Sequence, residues 1–354
     1  MQNTAYIRLI SALVICFSVI LYNIKDIFIP IKRVEITQNQ VTESFSADVS
    51  SEDEKTAQTE NKSEIGKEEN SKKEETTDSK EEKTESLEVS AKDVKGKIIE
   101  KYISPYSATN SYDKVYMKNS TGTSVDIKNL LEANLKFNIK KNKEPQVLIM
   151  HTHGTESFMD KESNYYTSSF SPRSRDNSKN MIKLGEKVSS ILNSVGIKTL
   201  HDKTHQDYPE YTGSYSRAKD TINWYLKKYP SIKIVLDLHR DSISSGSDKT
   251  KLVTKINGKK AAQVMLVMGS QTGAVSGHPN WRENLKLAFK IQQKLETEYP
   301  TLARPLMLAS KLYNQNLTKG SVLIEIGTDA NTLEEATYSA ELVGKALASL
   351  FDEL

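Results

Sequence analysis

QVLIMHTHGTE, residues 146–156, begins as an apolar run and turns polar without a break. Its first part, QVLIM (146–150), has the length and composition of a buried strand. The design recurs downstream. IKIVLDL (232–238) runs directly into His239, Arg240, Asp241 and Ser242, and SVLIEIG (321–327) carries Glu325 near its end. IKTL (197–200) and QVMLVMG (263–269) read as two further strands. The stretches between them have helical character. Met181, Leu184, Val188, Ile191 and Leu192 form an apolar stripe within residues 180–194, and Gly196 closes that helix. Residues 217–229 end before Pro230, and residues 284–299 end before Pro300. Residues 331–351 form the last helix, with Thr332 and Glu335 spaced as a capping box.

Strands that are continuous apolar runs, alternating with helices, predict an α/β fold over residues 145–354. Its sheet is expected to be mostly parallel or mixed, twisted, and flanked by helices on both faces. Residues 98–144 carry mixed signals and read as a lead-in that packs on this domain or forms a small subdomain, with a short helix over 125–135.

The N-terminal part is of another kind. Residues 9–24 read LISALVICFSVILYNI, with Arg8 before and Lys25 after. Ile27, Phe28 and Ile29 extend the run towards the length of a membrane span, so residues 1–31 are expected to be an uncleaved signal anchor. A cleaved signal peptide is the rival reading, but no small-x-small cleavage site precedes the charged segment. Residues 46–101 contain no Phe, Trp or Tyr. Such a stretch cannot bury enough apolar surface to offset its ordering entropy, so residues 32–97 read as a disordered tether.

Charge and cysteine content narrow the chemistry. Residues 51–95 hold 15 acidic and 9 basic side chains, so a chain of net charge +3 carries +9 elsewhere. A positive domain suits anionic polymers such as teichoic acids and, on charge alone, nucleic acid. The single cysteine, Cys16, lies in the N-terminal apolar run. That excludes disulfides within the chain, a thiolate zinc site and a cysteine nucleophile in the folded part. No nucleophile elbow, phosphate-binding glycine loop or HEXXH motif is present.

In α/β sheets the ligand sits at the carboxyl ends of the strands. His151, His153 and Glu156 follow one predicted strand, His239 and Arg240 follow another, and Glu325 ends a third. A lone histidine after a strand is an unremarkable hydrogen-bonding residue. Several, converging with carboxylates, match what zinc hydrolysis requires: about three ligands, an open position and a nearby general base. His201 is the weaker candidate, and His205 and His278 lie in polar loops.

VLIMHTHGTES, VLDLHRDS and SVLIEIGTDANTLEEA, with WRENL (281–285) and LYNQNL (312–317), resemble the stage II sporulation protein P family over residues 98–354. The resemblance implies a peptidoglycan hydrolase of endospore-forming bacteria, acting in engulfment at the sporulation septum. Amidase and cross-link endopeptidase activities are expected, with stage II sporulation proteins D and M as partners and no role for nucleic acid. It also implies a membrane anchor with the catalytic domain outside the cytoplasm. The same segments are similar, more distantly, to zinc-dependent N-acetylmuramoyl-L-alanine amidases. That likeness implies Zn2+ held by His153, Asp176 and His239, with His151 or Glu156 as alternatives for the second ligand. Asp176 stands four residues before Asn180, where those amidases carry Glu. Glu325 is then the general base, and Arg240 is expected to hold an oxyanion or a stem-peptide carboxylate. Two rival readings stay open: a wall-binding scaffold without activity, and a zinc peptidase acting on proteins.

Overall fold

The computed structural model describes residues 93–273 and 275–354. The expected anchor and nearly all of the expected tether lie outside these residues. Among the described residues, no helix is long and apolar enough to cross a membrane.

The strands are β1 Val94–Lys101, β2 Asn110–Tyr112, β3 Val115–Asn119, β4 Val147–Met150, β5 Tyr165–Thr167, β6 Thr199–His201 and β7 Ile234–Asp241. Further along are β8 Ser244–Ser245, β9 Asp248–Ile256, β10 Lys259–Ala262, β11 Val264–Gly269, β12 Leu306–Ala309 and β13 Ser321–Thr328. The helices are α1 Ile127–Glu132, α2 Met181–Ser194, α3 Ser214–Lys228, α4 Trp281–Glu298 and α5 Leu333–Asp352.

Eight strands form the main sheet in the order β2-β3-β12-β11-β13-β7-β4-β6. β6, β4, β7 and β13 run parallel to one another. β11 is antiparallel to β13, so the sheet is mixed. Strand alternation sorts its two faces. Val147 and Ile149, Ile234, Leu236 and Leu238, and Val322, Ile324 and Ile326 join α2, α4 and α5 in the large core. Their neighbours Leu148, Met150 and Val235 point the other way, onto Ala218 and Ile222 of α3. Helices therefore cover both faces, as the continuous apolar runs require.

The helix ends follow local chemistry. Asn180 caps α2, its Oδ1 accepting from the Ile182 amide at 3.0 Å. Thr332 and Glu335 form the reciprocal capping box of α5, at 3.1 and 3.0 Å.

The expected lead-in is shared between two sheets. β2 and β3 make the edge of the main sheet, with β3 parallel to β12. β1 begins at Val94, four residues before the expected tether boundary, and belongs to a second sheet ordered β10-β9-β1-β5. Gly96 lets that sheet close, because a Cβ there would meet the Ser247 carbonyl oxygen at 2.0 Å. Lys251 of β9 is buried in an ion pair with Glu335 of α5 at 2.8 Å.

Candidate active site

Strand parity decides which side chains meet. Asp237, His239 and Glu325 share the face of Val235 and Met150, the face that α3 covers. The register pairs Glu325 with His239 on neighbouring strands. These two stand at the carboxyl ends of β13 and β7, where ligand sites of such sheets lie.

The chain leaves β4 at Met150, and the turn that follows separates the next two histidines. His151 continues on the α2 side. Its Nδ1–H donates to the Leu238 carbonyl at 2.9 Å, so its Nε2 accepts from His201 Nε2–H at 2.8 Å. Both rings are neutral. Burial lowers His151 to about 4, and burial with the neighbouring His151 lowers His201 to about 3. The pair is a buried strut against α2. Gly185 makes room for it, because a Cβ there would lie 2.4 Å from His201 Nε2 and 2.6 Å from His151 Nε2. Gly185→Ala is therefore expected to destabilise the fold. Overpacking costs about 1–3 kcal/mol, against roughly 1 kcal/mol gained from helix propensity. Thermal unfolding checks this: a lower Tm is expected, and an unchanged or raised Tm would contradict the packing account.

His153, two residues on, turns to the other face. Its ring stacks on Tyr211 at 4.6 Å, meets Tyr215 edge-on at 5.7 Å and lies perpendicular to His239 at 5.2 Å. Its Nε2 is 3.2 Å from the Tyr211 hydroxyl, and its buried Nδ1 has no hydrogen-bond partner among the described residues. The turn is anchored by Thr152, whose amide and hydroxyl donate to Asp237 at 2.8 and 2.6 Å.

His239 is ringed by carboxylates. Nε2 lies 2.9 Å from Asp237 Oδ1, outside hydrogen-bond alignment, and Nδ1 lies 3.8 Å from Glu156 Oε2. Burial works to lower its pKa, but Asp237, Glu156 and Glu325 outweigh burial and raise it to about 10. Glu156 is itself buried, accepts from the Arg240 amide at 3.2 Å and faces Arg173 at 4.0 Å. Arg173 in turn pairs with buried Asp207 and lies over the Tyr211 ring at 4.7 Å. Glu325 has a buried Oε2 without a hydrogen-bond partner. Burial pushes its pKa up to about 8, with Asp241 and Glu156 adding to the rise and His239 and Arg304 opposing it.

Two expected residues are placed elsewhere. Asp176 is exposed, and its carboxylate accepts from the Ser178 amide and hydroxyl at 2.9 and 2.7 Å within its own turn. Arg240 is buried on the opposite side of β7 from His239. Its guanidinium donates to the carbonyls of Ser157 at 3.1 Å, Pro172 at 2.8 Å and Asp241 at 3.3 Å. It staples the loop that carries Glu156, where contact with an oxyanion or a stem-peptide carboxylate was expected of it. The residues not foreseen are Asp237, Tyr211, Tyr215, Arg173 and Asp207. Asp237 carried a signal, as a lone charge in IVLDL two residues before His239 and hence on its face.

As these side chains stand, no three His, Cys, Asp or Glu among the described residues converge closely enough to hold a metal ion. The donor kinds nevertheless fit one. Two imidazoles, His153 with its unpartnered Nδ1 and His239, lie with the carboxylates of Glu156 and Asp237 in one buried cluster.

Fold and site define an α/β protein with a buried histidine–carboxylate cluster at the carboxyl edge of a mixed sheet. The chain belongs to the stage II sporulation protein P family, whose profile matches residues 22–348. It is 28% identical over 220 residues to stage II sporulation protein P of Bacillus subtilis (strain 168), covering 59% of this chain and 50% of that protein. The chain thus spans about half the length of the curated relative it matches. Similar solved structures include the N-acetylmuramyl-L-alanine amidase Ami1 of Mycobacterium smegmatis, 11% identical, TM-score 0.35, covering 62% of this chain and 100% of that one. The CwlD amidase of Clostridioides difficile, in complex with the GerS lipoprotein, is 12% identical, TM-score 0.37, covering 59% of this chain and 97% of that one.

Proposed function

We propose that this protein is a zinc-dependent peptidoglycan hydrolase, an N-acetylmuramoyl-L-alanine amidase with cross-link endopeptidase activity. It acts in septal wall remodelling and engulfment during endospore formation. It is held at the membrane by residues 1–31, with its catalytic domain outside the cytoplasm and stage II sporulation proteins D and M as partners. Membership of the family supports the sporulation setting. One observation carries the chemistry: His153 and Glu325 meet His239 on one face of the sheet, and His153 Nδ1 and Glu325 Oε2 are buried with no hydrogen-bond partner among the described residues. Buried polar atoms are rarely left so without a task.

In this reading His153, His239 and Glu156 hold zinc, with Glu156 in the role first expected of Asp176. Zinc would supply a fixed positive charge that polarises the amide carbonyl and acidifies water. Asp237 orients His239 from behind, as carboxylates do for ligating imidazoles. Tyr211 and Tyr215 fix the His153 ring. Glu325 takes the proton of the attacking water and gives it to the departing amine nitrogen.

A wall-binding scaffold is the second reading, favoured by the charge of +9 carried outside residues 51–95, which suits an anionic wall polymer. Zinc analysis and digestion of purified sacculi by the full-length protein separate the two. About one zinc per chain is expected, with digestion that stops when a chelator removes it. A protein that binds sacculi, carries no zinc and releases nothing would establish the scaffold instead.

A further inference from the structure

LYNQNL (312–317) forms a turn that the functional reading above leaves without a task. Tyr313 and Asn314 both have left-handed backbones, with φ of 48° and 54°. Residues with side chains adopt this conformation rarely, and consecutive cases persist only where the surroundings impose them. Here they do. Asn314 Nδ2 donates to the Tyr215 carbonyl at 2.8 Å. Gln315 clamps the end of β11, donating to the Val267 carbonyl and accepting from the Gly269 amide, both at 2.8 Å. Asn284 of α4 donates to the Gln315 carbonyl at 2.6 Å. Gly269 admits the turn, since a Cβ there would meet the Lys311 carbonyl oxygen at 2.3 Å.

This rigid turn delivers one polar group. The Tyr313 hydroxyl is buried and has no hydrogen-bond partner among the described residues. Its ring lies 6.2 Å from that of Tyr215, which meets His153 edge-on. Burial, then the nearby charge of Glu325, raises the phenol's pKa, so it remains a donor at any working pH. Arg240 points away from His239 and donates to three main-chain carbonyls.

We propose that the Tyr313 hydroxyl donates the hydrogen bond that holds the scissile carbonyl oxygen as negative charge develops on it. This rests on the amide-hydrolase reading. Water oxygen adds to the carbonyl carbon, and the C=O π pair moves onto oxygen, where Tyr313 donates without losing its proton. Glu325 takes the water's proton and passes it to nitrogen as the C–N bond breaks, giving one carboxylic acid and one amine. A preformed donor costs no reorganisation at the moment of reaction, which is why it stabilises the transition state more than the substrate.

Tyr313→Phe in the full-length protein tests this on purified peptidoglycan. Removing one such donor lowers kcat by about 10²-fold or more. KM, zinc content and Tm are expected to be unchanged, because the lost hydroxyl had no partner to leave behind. A wild-type kcat, a raised KM with kcat preserved, or an activity loss that only tracks a lowered Tm would each overturn the assignment. If wild type digests and Tyr313→Phe keeps pace, Tyr313 alone is misassigned. If wild type releases nothing, the hydrolase reading falls, and this proposal with it.

Discussion

Glu325→Gln is expected to keep zinc and fold yet lose about 10²–10⁴-fold or more in turnover, the usual contribution of a general acid–base group. Glutamine preserves the shape and can accept a hydrogen bond, but it cannot take a proton from water. The carboxylate sits on β13 between β11 and β7, with Oε2 buried and unpartnered. Glutamine keeps a polar group of the same size at this buried position, so Tm should stay close to that of the wild type. Sacculus digestion, zinc content and Tm on one preparation check all three points. A stable, zinc-loaded and fully active Glu325→Gln protein would end its assignment as the base.

The second large effect concerns the ligand set. Glu156→Gln is expected to lose zinc, while Asp176→Asn keeps it. Glu156 is buried 3.8 Å from His239 Nδ1, and Asp176 is exposed and turned to Ser178. Loss of a direct ligand should exceed the roughly 10–100-fold fall in affinity that an outer-shell change brings. Arg173 remains paired with Asp207 in the Glu156 variant, which limits damage to the loop. Titration of each purified variant with zinc reads the difference. Tight binding by Glu156→Gln with weak binding by Asp176→Asn would restore the order that the amidase resemblance implied.

Much of this geometry was legible in the sequence because it follows from period-2 alternation. IVLDLHRD and SVLIEIG announce central strands, and the parity of each fixes which charges share a face. Parity aligns Asp237 with His239, but it would place His153 beside His151; the turn after β4, anchored by Thr152 on Asp237, separates them. The position of Arg240 was legible but its role was not, since only the fold reveals the carbonyls of Ser157 and Pro172 around it. Glu156 and Asp176 could not be ranked from spacing, because both lie in a long irregular connection whose path is set by contacts such as Arg173 with Asp207. The second sheet was hidden for a related reason. β1 reads VKGKIIEK and β9 reads DKTKLVTKI, and such lysine-rich strands lack the continuous apolar signal of the main sheet. Tyr313 stood in a quoted motif, but its backbone conformation and unpartnered hydroxyl exist only in the folded chain.

Zinc-dependent hydrolysis of peptidoglycan amide bonds is the chemistry proposed for this site. Mass analysis of purified peptidoglycan digested by the full-length protein, with and without a chelator, addresses it most directly. Stem peptides with a free L-alanine amino terminus and glycan strands bearing free lactyl carboxyls are expected, neither appearing once zinc is removed. Intact peptidoglycan in both samples, or the same products in the presence of the chelator, would contradict it.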